Sequence, residues 1–236
     1  WHFGIPSSSS HAMVGGLIGA GFAHAGASSI QSAGLIKIFS SLVISPIVGM
    51  LVAFIVMILL LWMFRRAAPV AVSNIFRKLQ MLSAGFMALS HGSNDAQKTM
   101  GIIWMLLIAA GYVSPTDAHP PGWVIISCYA AISFGTLFGG WRIVKTMGQK
   151  ITKLKPVGGF CAETGGAMTL FIASAMGVPV STTHTITGAI VGVGSAQKMS
   201  AVRWGVAGNI VWAWVLTIPA SAFVAAIAYW VSLQLY

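Results

Sequence analysis

Apolar positions run along this chain in stretches too long for the core of a small soluble domain. Residues 36–64, 79–110, 122–141 and 204–233 are nearly continuous runs, and about 20 apolar residues suffice for a helix to cross a bilayer. A shorter apolar helix is predicted over 7–24, opened by Pro6, because proline is accommodated in the first turn of a helix. Residues 158–176 and 179–197 read as two further apolar helices, separated at Gly177-Val178-Pro179. The stretch "GYVSPTDAHPPG" between two spans is dense in turn formers and reads as a short loop. The expected fold is an all-α polytopic membrane protein.

Composition agrees. The chain is 57% hydrophobic and 7% charged, against roughly 25% charged residues in soluble domains. Its net charge of +10 sets thirteen Lys and Arg against three acids, Asp95, Asp117 and Glu163. Apart from Lys37 and Lys98, the cations lie in three clusters: Arg65/Arg66/Arg77/Lys78, Arg142/Lys145/Lys150/Lys153/Lys155, and Lys198/Arg203. Clusters of this kind mark cytoplasmic segments, so topology accounts for the charge and no nucleic-acid partner is implied. Cys128 and Cys161 fall in apolar segments and read as packing residues. The chain begins at Trp1 and reads as the tail of a longer protein.

An internal repeat organises these elements. "GIPSSSSHAMVGGLIGAG" at 4–21 aligns with "GVPVSTTHTITGAIVGVG" at 177–194 at a constant offset of 173, with Gly4/Gly177, Pro6/Pro179, Ser8/Ser181, His11/His184, Gly15/Gly188, Gly19/Gly192 and Gly21/Gly194 identical. Basic segments 65–78 and 142–156 lie two spans apart and both face the cytoplasm, so 111–121 faces outward. Counting spans back from there, the first copy connects to the outer face and the second to the inner face. The repeat is therefore inverted, as in secondary transporters whose broken helices meet at a midplane site. Each copy sets hydroxyls just after a proline, where a helix start leaves N–H groups unpaired and its dipole attracts anions. The two copies read as a two-sided anion clamp, although Ser and Thr also serve as simple caps and interhelical glue in membranes.

A second constellation, "LSHGSNDAQKTMG", lies in the middle of the 79–110 run. His91, Asn94, Asp95 and Lys98 fall on one helical stripe. Ionisable groups at bilayer depth are costly, and they mark functional sites by default. Asp95 is the best carboxylate for a coupling cation, a Na⁺ or a carried proton, and Asn94 offers either a carbonyl ligand or an amide donor. No metal is expected beyond a Na⁺ at Asp95. Glu163 in "GGFCAETGGAMT" either completes a cation site with Asp95 or sits solvated near the cytoplasmic edge. His11 and His184, directly after the hydroxyls, either order the clamp or titrate.

These motifs carry a resemblance. "HGSNDAQKTMG" resembles the Gly-x-Asn-Asp signature of the inorganic phosphate transporter family (PiT, or Pho4), and "PVSTTH" and "PSSSSH" look like its repeated hairpin motif. The resemblance implies an inverted-repeat transporter fold with broken, re-entrant hairpins. It also implies multi-pass placement in the plasma (inner) membrane and secondary transport of inorganic phosphate without an organic cofactor. It allows a homodimer. By resemblance Ser8, Ser9, Ser10, Asn94, Ser181, Thr182 and Thr183 bind phosphate. Asn94, Asp95 and Glu163 serve the coupling ion, with His11, His91, Lys98 and His184 in support. Lys98 stands where many members have a small neutral residue, and a fixed cation there takes the place of one Na⁺ and favours proton coupling. A complete member carries a first Asn-Asp signature upstream.

On this reading residues 1–64 end the first repeat, 65–78 form a cytoplasmic loop, and 79–236 make the second repeat with its hairpin at 158–197. A sulfate permease of the same fold is the nearest alternative, since both anions are tetrahedral. An intramembrane serine hydrolase is the remote one. Each Ser run is followed directly by its His, and no acid is placed to orient either, contrary to what nucleophilic catalysis requires.

Overall fold

The computed structural model describes residues 4–235 and is all-helical among them. In chain order the helices are α1 (Ser9–Ala25), α2 (Ser32–Met63), α3 (Pro69–Ala109), α4 (Gly122–Phe138), α5 (Trp141–Lys145), α6 (Pro156–Ala175), α7 (Thr182–Gln197) and α8 (Trp204–Leu235). Helices α2 and α8 are each long and apolar enough to cross a membrane, and α4 with the segment 141–151, bent by 65°, passes the same test as one broken span. Large apolar side chains such as Phe54, Leu59, Trp212 and Val224 are exposed along them, the surface a bilayer covers.

Two predicted boundaries shift. The segment 65–78 is not a loop throughout, because α3 starts at Pro69. Proline at the first position of a helix loses no hydrogen bond there, so the basic residues Arg77 and Lys78 ride on a helix. The basic stretch 142–156, read only as a segment between spans, contains α5 and a π-helical segment at Thr146–Ile151. Gly140 makes this bend: its φ of 92° is in the left-handed region, which glycine enters without steric penalty. Ile151 then plugs a core cluster with Cys161, Val193 and Val202.

The repeat governs packing by exchange. Helix α1 packs on α8 and α7 on α2, so each repeat's clamp helix lies against the other repeat's long helix. Both contacts run through glycines four residues apart. Gly15 and Gly19 face the backbone of Ile218 and Ala222, and Gly188 and Gly192 face that of Pro46 and Met50. Where lipid removes the hydrophobic drive between helices, such close backbone approach supplies the association. The offset of 173 continues beyond the aligned motifs. Pro46 and Pro219, which keep it, both lie inside their long helices.

Candidate anion and cation site

Helices α1 and α7 begin within hydrogen-bonding distance of each other. Ser8 caps α1, its Oγ accepting from the His11 N–H, and Ser181 caps α7 in the same way with His184. The two cap hydroxyls also share a hydrogen bond of 2.8 Å. Equivalent residues of the two repeats therefore touch at their approximate twofold axis. The next residues repeat the pattern, with the His11 and His184 rings 4.2 Å apart. Behind them Ser41 donates to the Pro179 carbonyl and Trp214 Nε1 to the Pro6 carbonyl. Ser41 and Trp214 also keep the repeat offset, so one interaction is made twice by unlike donors.

This geometry divides the expected phosphate ligands. Ser8 and Ser181 are fully buried and engaged in capping and in each other. Ser9 lines a cavity of about 790 Å³ together with His91, Asp95 and Lys98. Ser7, Thr182, Thr183 and His91 line a second cavity of about 200 Å³. The hydroxyls that line the two cavities are thus those flanking the caps, because a cap residue must turn its oxygen into its own helix.

The stripe on α3 meets both helix starts. Lys98 Nζ donates to Asp95 Oδ1 at 2.8 Å, to Ser10 Oγ at 2.7 Å and to the Val180 carbonyl at 2.8 Å. His91 Nε2 lies 3.1 Å from Asp95 Oδ2, which also accepts from Thr182 Oγ1 at 3.1 Å. One ammonium and one carboxylate so connect α1, α3 and the approach to α7. Asn94 is buried beside them, and its Oδ1 has no hydrogen-bond partner among the described residues.

Glu163 lies apart. It accepts from Ser83 and from Gln80 Nε2, and Ser83 precedes Asp95 by more than three turns of α3, or roughly 18 Å at 1.5 Å per residue. The packing therefore does not bring Glu163 into a shared site with Asp95. Sequence reasoning missed Gln80, Ser83, the Val180 carbonyl and Trp214. Gly159 signals the first of these, since a Cβ there would collide with the Gln80 amide. The offset of 173 signals the last. Among the described residues no cluster of His, Cys, Asp and Glu could hold a metal ion.

A broken-helix membrane fold with an inverted repeat, its two capped helix starts meeting at one junction, defines a class of secondary transporters. The phosphate transporter family model matches residues 1–73 and 64–225, and the chain belongs to that family. It is 59% identical, over 97% of its length and 68% of the relative's, to a probable low-affinity inorganic phosphate transporter of Rhizobium meliloti (strain 1021). It is 42% identical, over 98% of its length and 69% of the relative's, to one from Bacillus subtilis (strain 168). Among solved structures it resembles a sodium-dependent phosphate transporter with a TM-score of 0.86 and 26% identity, covering 100% of this chain and 76% of the other. These relatives are transporters rather than enzymes.

Proposed function

We propose that this protein carries inorganic phosphate across the plasma membrane, driven by a co-transported cation, and that the cation is H⁺ rather than Na⁺. The observation that carries the reading is the meeting of two hydroxyl-bearing helix starts with the Asp95–Lys98 pair beside two cavities. Ser9 and Thr183, with the free N–H groups of the first turns, supply donors to the anion. Lys98 supplies the fixed positive charge, and Asn94 an amide. Asp95 gives selectivity: a carboxylate accepts a hydrogen bond from a phosphate O–H, and sulfate has no such proton at neutral pH. The three oxygens around the Lys98 ammonium support proton coupling, since a tethered cation there takes the place of one mobile Na⁺.

Labelled phosphate uptake into liposomes containing the full-length protein tests this. A Na⁺ gradient alone and a proton gradient alone are compared for wild type and Asp95→Asn, with sulfate as competitor. Uptake driven by the proton gradient, lost in Asp95→Asn and indifferent to sulfate, is expected. Uptake driven by Na⁺ alone overturns the coupling assignment, and sulfate uptake without phosphate uptake overturns the substrate.

A further inference from the structure

The carrier reading leaves open where the travelling proton resides. Both oxygens of Asp95 already accept hydrogen bonds, from Lys98 on one side and from His91 and Thr182 on the other. Glu163 is remote from the clamp and held by Ser83 and Gln80. His184 differs. It is 2% exposed, its Nδ1 lies 3.3 Å from the Leu42 carbonyl, and its Nε2 has no hydrogen-bond partner among the described residues. A carbonyl can only accept, so Nδ1 carries the hydrogen and Nε2 bears the open lone pair.

The Trp214 ring stacks on His184 with centroids 3.6 Å apart and planes at 23°, and an indole face attracts a cation. The His11 ring, 3% exposed, stands edge-on to it at 4.2 Å. Two imidazoles this close resist holding two protons, so the pair takes its first proton as one unit. Their backbone N–H groups bond the hydroxyls of Ser181 and Ser8, which ties the pair directly to the starts of the anion-binding helices.

We infer that the His11–His184 pair, with His184 Nε2 as acceptor, is the proton site of the transport cycle. This rests on the carrier reading above. A phosphate held at Ser9 and Thr183, which line the two cavities within two residues of His11 and His184, stabilises the added positive charge, and the charged pair stabilises the phosphate; each ligand raises the other's affinity by the same factor. Of the charged groups on neighbouring elements, Lys98 of α3 donates to Ser10, the residue next to His11, so the pair already has one fixed cation near it and the anion's contribution decides occupancy. Asp95 is paired with that lysine. Helices α2 and α8 present Ser41, Leu42 and Trp214 here. The Glu163 and Cys161 side chains of α6 turn to Ser83 and Met57. Because the pair lies where the repeats meet, alternating exposure of that axis gives it access to either side.

The test separates phosphate exchange from proton-driven accumulation in proteoliposomes. The full-length protein is compared with His184→Gln and His11→Gln, whose side chains keep hydrogen-bonding capacity without a titrating nitrogen. Phosphate counterflow at equal pH on both sides should persist at saturating phosphate, its half-saturating concentration raised by the lost coupling. Accumulation driven by a pH gradient, and the alkalinisation of the medium that accompanies it, should fall at least tenfold in His184→Gln. Unchanged accumulation in both variants overturns the inference. So does equal loss of exchange and accumulation in both, which is what a purely structural role predicts. Absence of counterflow in wild type overturns the carrier reading itself, and this inference with it.

Discussion

Lys98 shows how one side chain at bilayer depth sets the character of a site. Its ammonium reaches oxygens on three separate segments, Ser10, Asp95 and Val180, and it shares a largely enclosed pair with Asp95, whose side chain is 13% exposed. Removing one member of such a pair strands the other, typically at about 3 kcal/mol or more, whereas removing both together is far milder. Lys98→Met should therefore lower the melting temperature in detergent, and the Asp95→Asn/Lys98→Met double variant should recover most of the loss. Additive losses would mean that the two charges are solvated independently. The pairing itself was legible in the spacing, because residues three apart share a helix face. The bonds to Ser10 and Val180 were not, since they join segments more than eighty residues away.

At the scale of elements, the glycine pairs on α1 and α7 decide how closely the repeats interlock. A Cβ on Gly188 would stand 2.0 Å from the Pro46 carbonyl oxygen, whereas one on Gly85 of α3 meets nothing within 4 Å. Overfilling a packed contact costs about 1–3 kcal/mol, while relieving a helix-interior glycine gains up to about 1 kcal/mol. Gly188→Ala should accordingly melt earlier than wild type, and Gly85→Ala at the same temperature or later. The repeated spacing was visible in the aligned motifs. Its partners were not, because α1 and α7 each pack on the long helix of the opposite repeat, and a one-dimensional alignment contains no information about exchange between its halves.

For the molecule as a whole, the contact between Ser8 and Ser181 joins the starts of the two clamp helices directly, 2.8 Å between their hydroxyl oxygens. If the repeats rock against each other around the site, this contact must open in every cycle. The Ser8→Cys/Ser181→Cys pair, close enough for a disulfide bridge of about 2.05 Å between sulfurs, should stop phosphate uptake on oxidation and regain it on reduction. Uptake that survives oxidation would mean that the two clamp helices travel as one rigid body.

Hydropathy, charge clusters and the offset of 173 were enough to read an all-helical membrane chain, its inverted repeat and the stripe from His91 to Lys98. Each of these is a regularity along the chain, enforced locally by helical spacing or by the need to match lipid. Which hydroxyls reach a cavity was decided by folding, because Ser8 and Ser181 became caps and left Ser9 and Thr183 to the cavities. The separation of Glu163 from Asp95 and the meeting of His11 with His184 were settled in the same way. Their distances depend on how α3 packs against α6 and on how the two repeats close about a common axis, and contacts between distant segments exist only once the helices are in place.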